Sequence, residues 1–228
     1  MTGVDDTAEH DFVIEPELGT IVRLAGLRLT GLHVEVREPA LDGPLQAAAT
    51  EMLRQPDQDD VTVAVRALYR QFGIDPTRRR PSSEALLRRV RRGDPLPRVN
   101  ALVDVCNWCS MESRLPFGLY DADRISGGIV CRRGRSGEAY PGIRKDDVHL
   151  DGRLVLADRT GAFGNPSSDS ARTMISSSTA SALLVVFVPA AVEAGRVTST
   201  IEMTAARMAE FVAPQGITRW VAAAEAAE

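Results

Sequence analysis

Apolar residues recur at spacings of three and four through the first half of the chain. Residues 60–72 show this pattern and end at Gly73, so the segment is predicted to be a helix. A second helix is predicted between Pro81, which is followed by two serines and a glutamate typical of a helix start, and Gly93. Helices are also predicted over residues 41–53 and 99–112, and an alanine-rich closing helix is predicted over residues 190–212.

The second half of the chain changes to short apolar segments separated by turn residues. This pattern is typical of sheet, and alternating residues predict strands over 12–14 and 27–36 as well. Runs of helix followed by runs of strand indicate an α+β domain rather than alternating βαβ units. The remaining predicted strands cover residues 117–120, 128–132, 153–158, 171–175, 182–188 and 218–222.

Length and composition favour one domain. The chain has 228 residues, of which 44% are hydrophobic, and this is enough to bury a full core. Residues 1–10 lack apolar periodicity and are predicted to be a disordered tail. Residues 11–228 are then predicted to form a single domain.

Charge and cysteine usage narrow the class of protein. The chain has no run of about twenty apolar residues, so no membrane partner is expected. Its three cysteines are too few for a disulfide framework, which favours a cytoplasmic location. The net charge of −4 argues against general nucleic-acid binding, so any RNA contact would need a local basic patch. The oligomeric state is left open.

Three ordered motifs lie in the middle of the chain. Residues 80–86 read RPSSEAL, residues 96–107 read LPRVNALVDVCN, and residues 115–121 read LPFGLYD. Their order and spacing resemble those of stand-alone relatives of the editing domain in the beta subunit of bacterial phenylalanyl-tRNA synthetase. The resemblance covers roughly residues 60–190, and its downstream parts are residues 133–138, 156–158 and 168–170 and Thr179.

The resemblance implies a fold and an activity. The fold is a three-layer β/β/α arrangement with an N-terminal helical segment. The activity is hydrolysis of tyrosine wrongly esterified to the phenylalanine tRNA, so the implied partners are an aminoacyl-tRNA, or its 3′ adenosine end, and an amino acid. An aminoacyl ester is already activated, so the site needs to orient one water and stabilise an oxyanion. No cofactor and no metal is expected.

Three residues are the candidate catalytic groups, because they match polar positions in the resembled family. Asn107 stands where the family has a Thr-Asn pair, and Asp169 aligns with an acid that would sense the phenol hydroxyl of tyrosine. Glu138 lies in a glycine-flanked turn, where it would bind the substrate ammonium or pair with Arg133. The alternatives stay open: Asn107 facing solvent, Glu138 as a hairpin acid, and Asp169 as a solvated loop tip.

Candidate substrate-binding residues are Asp121, Gly118 and Thr179, which also match the family's positions. Asp121 has the alternative role of capping a turn. Two departures are present. Gly118 replaces a histidine that contacts substrate in the synthetase domain, and the family's glycine-rich loop is reduced to residues 161–165. The pocket is therefore expected to differ in selectivity or to lack hydrolysis.

The chain also carries a cysteine pair, Cys106 and Cys109. A zinc site needs four ligands, usually with a second closely spaced pair, and no such spacing exists here. A redox pair normally opens a helix after a strand, whereas these cysteines fall within a predicted helix. Buried small side chains are the favoured interpretation.

Arginines crowd the last turns of the helix predicted after Pro81. Arg88, Arg89 and Arg92 are the candidate RNA-binding residues, because they could line a phosphate track. Cations at the carboxyl end of a helix also complement its dipole, so solvated charge or pairing with nearby aspartates explains the same placement.

The leading hypothesis is hydrolytic editing of mischarged aminoacyl-tRNA. The main alternative is a non-catalytic module that binds an amino acid or a small metabolite in an inherited pocket. A third hypothesis is an RNA-binding or protein-interaction domain that works through the arginine-rich helix.

Overall fold

The computed structural model describes residues 12–144 and 146–222. The tail predicted over residues 1–10 lies outside these described residues. The described part contains five α-helices and ten β-strands. The helices are α1 (Asp42–Arg54), α2 (Asp60–Gln71), α3 (Ser82–Arg91), α4 (Ala101–Ser113) and α5 (Ala194–Phe211). The strands are β1 (Phe12–Ile14), β2 (Val22–Thr30), β3 (Phe117–Asp121), β4 (Ile129–Arg133), β5 (Ala139–Pro141), β6 (Asp147–His149), β7 (Leu154–Asp158), β8 (Gly161–Gly164), β9 (Ala182–Pro189) and β10 (Gly216–Ala222).

Two four-stranded sheets carry the architecture. The first has the order β1-β4-β7-β8, and the second has the order β10-β2-β9-β3. In the second sheet β9 is an interior strand that pairs antiparallel with β2 on one side and β3 on the other. The short strands β5 and β6 form a separate hairpin.

The second sheet is the middle layer of the molecule. All eight residues of β9 are buried, and they alternate between two hydrophobic cores. Leu184 and Val186 face the core shared with the helices, whereas Leu183 and Val185 face the core shared with the first sheet. A strand covered on both faces has to be apolar throughout. The predicted α+β class and β/β/α layering are therefore confirmed.

Helix α4 has well-defined ends. The Asn100 side chain accepts a hydrogen bond from the Val103 amide at 2.9 Å and caps the first turn. Asp104 is buried, and it accepts from the Arg98 guanidinium at 2.6 Å. At the other end Arg114 adopts a left-handed backbone conformation with φ 64°, which turns the chain into β3. These contacts fix the direction of the helix.

Several sequence predictions differ from the structure. The strand predicted over 27–36 is β2, which begins five residues earlier and ends before Gly31, whose φ of 61° turns the chain out of the sheet. The prediction of a strand over residues 171–175 is wrong. That segment forms a 3-10 turn in which the Ser170 hydroxyl accepts from the Arg172 amide at 3.2 Å. Strands β5, β6 and β8 were not predicted, since each has only three or four residues.

Within residues 12–144 and 146–222, no helix is both long enough and apolar enough to cross a membrane.

Candidate functional site

A cavity of about 560 Å³ opens beside α4 and the edge strand β3. This volume lies within the range of small-molecule binding sites. Its apolar walls include Val34, Val103, Phe117, Leu119, Ile143 and Met174, and its polar groups include Asn107, Asp169, Ser176 and Ser177. The combination of apolar walls with a few polar groups suits a ligand that has a hydrophobic body and polar ends.

Helix α4 presents one polar stripe to the cavity. Asn100, Val103 and Asn107 lie three and four residues apart, so they share one face of the helix. The Asn100 amide oxygen already caps the helix. Asn107 is half-buried, and its side chain makes no hydrogen bond to any other described residue. Asn107 can therefore offer a donor and an acceptor to a ligand.

Asp169 enters the cavity from the loop that follows β8. The phenol of Tyr120 donates a hydrogen bond to Asp169 Oδ1 at 2.8 Å. Tyr120 is fully buried on the face of β3 opposite to Phe117 and Leu119. Burial, followed by the negative charge of Asp169, raises the pKa of the Tyr120 phenol well above its ordinary value. The phenol therefore stays protonated and remains a donor to the carboxylate.

The loop over residues 165–169 is held by every tyrosine in the protein. The chain has three tyrosines. Tyr69 donates to the Pro166 carbonyl at 2.8 Å, Tyr140 donates to the Ser168 carbonyl, and Tyr120 donates to Asp169. Three buried phenols thus fix the backbone and the carboxylate that the loop presents.

Two glycines make room for the Tyr120 ring. A Cβ atom at Gly118 would lie 2.0 Å from the Tyr120 hydroxyl oxygen, and one at Gly164 would lie 2.2 Å from the same atom. Gly118, a predicted substrate-binding residue, is therefore directed at Tyr120, and it is not among the residues that line the cavity. The space at this position is already filled by a side chain of the protein.

Asp121 and Thr179, the other predicted substrate-binding residues, bond to each other. The Thr179 hydroxyl donates to Asp121 Oδ2 at 2.8 Å, and it accepts from the Ser176 amide at 3.0 Å. Both side chains are buried. Neither residue lines the cavity, but the adjoining Ser176 and Ser177 do. The pair thus anchors one wall of the cavity to the end of β3.

Glu138 does not line the cavity that Asn107 and Asp169 share. Its carboxylate accepts two hydrogen bonds from the Arg132 guanidinium, at 2.7 and 2.8 Å, and one from the Arg135 amide at 2.8 Å. These contacts, led by Arg132, lower the pKa of Glu138 to about 2. The ion-pair partner is Arg132 instead of the Arg133 considered from the sequence. Glu138 is not among the cavity-lining residues, so the structure brings together two of the three candidate catalytic groups.

Cys106 lines the cavity beside Asn107. Burial, with smaller contributions from Cys109 and Asp169, raises the pKa of the Cys106 thiol well above its ordinary value. A protonated thiol is a poor nucleophile. Across the described ranges, no three His, Cys, Asp or Glu side chains gather in a way that would hold a metal ion.

The sequence profile of the B3/4 domain matches residues 64–219. The chain belongs to the B3/4 domain family. This match covers well over half of the chain, and it confirms the resemblance that the ordered motifs indicated.

Named relatives of this B3/4 domain are subunits of a tRNA ligase. The phenylalanine–tRNA ligase beta subunit of Cutibacterium acnes is 30% identical over 162 residues, which cover 68% of this chain and 18% of that protein. The beta subunit of Leifsonia xyli subsp. xyli is 28% identical over 177 residues, covering 72% of this chain and 20% of the relative. The chain thus spans about a fifth of the length of these relatives.

This B3/4 domain also matches a solved structure. It is a crystal structure of an N-terminal fragment of the phenylalanyl-tRNA synthetase beta subunit from Pyrococcus horikoshii, with a TM-score of 0.48 and 14% sequence identity. The match covers 92% of this chain and 51% of that fragment.

The candidate RNA-binding arginines of the B3/4 domain lie on the end of α3. Arg89 donates from Nε to the Pro95 carbonyl at 2.6 Å, and Arg92 lies 3.5 Å from Asp94. Arg88 lines a surface hollow that also contains Glu84. Two of the three arginines therefore have local partners, and an RNA role for this group stays a prediction.

Sequence reasoning missed Tyr120. Its residue type carried a usable signal, because a tyrosine in a fully buried strand needs a partner for its hydroxyl. That partner is Asp169, 49 positions further along the chain.

Proposed function

We propose that this B3/4 domain binds the aminoacylated 3′ end of a tRNA and hydrolyses the aminoacyl ester in trans in the cytoplasm. The substrate would carry tyrosine or a similar amino acid on the phenylalanine tRNA. The observation that supports this most is the convergence of Asn107 and Asp169 on one apolar cavity of about 560 Å³. Such a cavity can hold an aromatic amino acid together with part of the attached sugar.

The chemistry requires a positioned water and stabilisation of one oxygen. Water attacks the ester carbonyl carbon, the bond from that carbon to the ribose oxygen breaks, and the ribose oxygen gains a proton. In this proposal the Asn107 amide donates to the carbonyl oxygen as negative charge develops on it. Water is the nucleophile, because burial keeps the nearby Cys106 thiol protonated through its raised pKa.

Asp169 would select the amino acid. A carboxylate accepts about four hydrogen bonds, and Tyr120 supplies one of them. A tyrosine substrate would supply another through its phenol, whereas phenylalanine would bury the carboxylate against a ring with no donor. A hydrogen bond to a charged group contributes about 1.5–3 kcal/mol, so discrimination follows from the donor that only the tyrosine substrate supplies.

A non-catalytic binding module is the second candidate function. The observation that favours it is the Gly118 position, where the resembled synthetase domain has a substrate-contacting histidine. Here the Tyr120 ring fills that space. A cavity that kept its walls and lost this group would bind an amino acid or small metabolite without accelerating ester hydrolysis.

The test is a deacylation assay with purified protein. Phenylalanine tRNA charged with tyrosine or with phenylalanine is incubated with the protein, and the release of labelled amino acid is followed. We expect release of tyrosine at a kcat/KM well above that for phenylalanine. Asn107→Ala should lower kcat by about 10²-fold, the loss typical of one oxyanion donor.

Calorimetry separates the two candidates. If neither charged tRNA is deacylated, while a free amino acid binds with a saturable isotherm that Asp169→Asn weakens, the hydrolase proposal is refuted and the binding module stands. Arg196→Gln, an exposed change on α5, serves as a control in both assays.

A further inference from the structure

A second cavity borders the loop that carries Asp169. Its volume is about 300 Å³. Arg79 and Arg80 reach it from the segment before α3, and Arg153 reaches it from the turn before β7. Ser167 and Ser168, the two residues directly before Asp169, complete that side of the wall. The two cavities are thus lined by consecutive residues of one loop.

The three guanidinium groups line one hollow. Arg79, Arg80 and Arg153 form no ion pair and no side-chain hydrogen bond with any residue that the structure describes. Other arginines of the same region do have partners: Arg78 lies 3.7 Å from Asp75, and Arg91 pairs with Asp57. Like charges gathered in a hollow repel each other, and a bound anion would relieve that repulsion.

The lowered pKa of Arg153 agrees with this geometry. Burial, followed by the positive charge of Arg79, lowers the pKa of the Arg153 guanidinium. The group is half-buried in the second cavity. An anion placed between Arg79 and Arg153 would favour both charged forms, and a guanidinium binds phosphate through two parallel hydrogen bonds.

Two carboxylates also line this cavity, and they restrict the ligand. Asp146 and Asp147 face the same space, and neither pairs with the three arginines. A bare phosphate would be repelled by them. A phosphodiester flanked by ribose would instead place hydroxyl donors against the carboxylates, and the ribose 2′-hydroxyl is the group by which proteins distinguish RNA from DNA.

The loop that lines both cavities is held in place by hydrogen bonds from two tyrosines. Tyr69 bonds the Pro166 carbonyl and approaches the Ser167 hydroxyl at 3.0 Å, and Tyr140 bonds the Ser168 carbonyl. Ser168 and Asp169 are adjacent in the chain, so their Cα atoms lie about 3.8 Å apart. A group bound at Ser168 is therefore held at a fixed offset from a group bound at Asp169.

We propose that Arg79, Arg80 and Arg153 form a phosphate site for the backbone of an RNA strand whose aminoacylated end occupies the first cavity. This proposal rests on the proposed function for the identity of the strand. The site uses a different set of arginines from Arg88, Arg89 and Arg92 on α3, and it includes a residue from the sheet half of the fold.

The probe is uncharged phenylalanine tRNA, with an RNA oligonucleotide of its 3′ end and a DNA oligonucleotide of the same sequence. Dissociation constants are measured by fluorescence anisotropy over a range of salt concentrations. Arg153→Gln should weaken RNA binding by about tenfold and reduce the salt slope by about 0.7, the value for one phosphate contact to a single strand. The double variant Arg79→Gln with Arg80→Gln should reduce the slope by about twice as much.

Matched controls decide the assignment. Arg196→Gln removes one exposed positive charge from α5 and should leave the dissociation constant unchanged, while the DNA oligonucleotide should bind more weakly than the RNA. The proposal is overturned if wild-type protein binds no RNA, or if Arg153→Gln and Arg196→Gln have equal effects. It is also overturned if only Arg88→Gln weakens binding.

The two proposals fail separately. If RNA binding depends on Arg153 but charged tRNA is not deacylated, the hydrolase proposal is refuted and the phosphate-site proposal stands. If wild-type protein deacylates charged tRNA but RNA binding is unchanged by substitution of Arg79, Arg80 and Arg153, only the phosphate-site proposal is refuted.

Discussion

Tyr120 and Asp169 are joined by a hydrogen bond of 2.8 Å from the phenol to Oδ1. The donor is a fully buried residue of β3, and the acceptor lines the larger of the two cavities. A polar contact therefore links the core of the protein to its candidate site, and it helps to orient the Asp169 carboxylate.

Replacing Tyr120 by phenylalanine tests this contact. The ring stays, so packing is preserved, and the Asp169 carboxylate loses a donor. We expect the free energy of unfolding to fall by about 1.5–3 kcal/mol, the range for a hydrogen bond to a charged group. Urea denaturation of Tyr120→Phe, Asp169→Asn and the double variant forms a thermodynamic cycle. Additive losses in that cycle would show that the two residues are not coupled.

Gly118→Ala should destabilise the fold by steric conflict. The new Cβ would lie 2.0 Å from the Tyr120 hydroxyl oxygen and 2.5 Å from the ring carbon that bears it, and the ring is enclosed on the other side by Gly164. Overpacking of this kind costs about 1–3 kcal/mol. Gly195→Ala on α5 is the control, because a Cβ there meets nothing within 4 Å. The control should gain up to about 1 kcal/mol in thermal or urea unfolding.

Acid sensitivity should arise in part from Glu138. Arg132 holds the pKa of Glu138 at about 2 in the folded protein, below its ordinary 4.5. A depressed pKa means that the stabilisation is fully present above pH 4.5 and is lost as the pH falls from there toward 2. Stability measured by urea unfolding should therefore decline across this window. Glu138→Gln should lower stability at pH 7 and make the acid decline shallower, and an unchanged profile would contradict the assignment.

Thr179→Val should loosen one wall of the first cavity. The change removes the hydroxyl that donates to buried Asp121 and accepts from the Ser176 amide. We expect a loss of about 1–3 kcal/mol in unfolding free energy, because a buried carboxylate is left short of a donor. Amide hydrogen exchange near Ser176 should also become faster. Thr198→Val is the matched control: its exposed hydroxyl bonds only to the Ala194 carbonyl one turn earlier in α5, so the loss should be small.

Much of the fold could be predicted from the sequence, because the relevant signals are local. Helix α3 is bounded by Pro81 and Gly93 as expected, and α2 ends one residue before its predicted limit. The start of β2 could not be placed in the same way. Its residues are buried on both faces, so the alternation that marks a half-exposed strand is absent.

The candidate site could be predicted only in part. Asn107 and Asp169 reach the same cavity, but the sequence does not reveal that Glu138 points elsewhere. Arg132 and Arg133 are neighbours on β4, and they face opposite sides of the strand. Which of them meets Glu138 depends on how β4 enters the sheet, which is a tertiary property.

The interior position of β9 has a consequence for biosynthesis. Leu29 of β2 pairs with Ala182 of β9, and these residues leave the ribosome about 150 residues apart. At roughly 5–20 residues per second, β9 is synthesised on the order of ten seconds or more after β2. Neither hydrophobic core can close before β9 emerges, because β9 contributes residues to both. Slower translation therefore prolongs the exposure of an apolar strand, and the cell's supply of holdase chaperones during that interval should govern how much folded product accumulates.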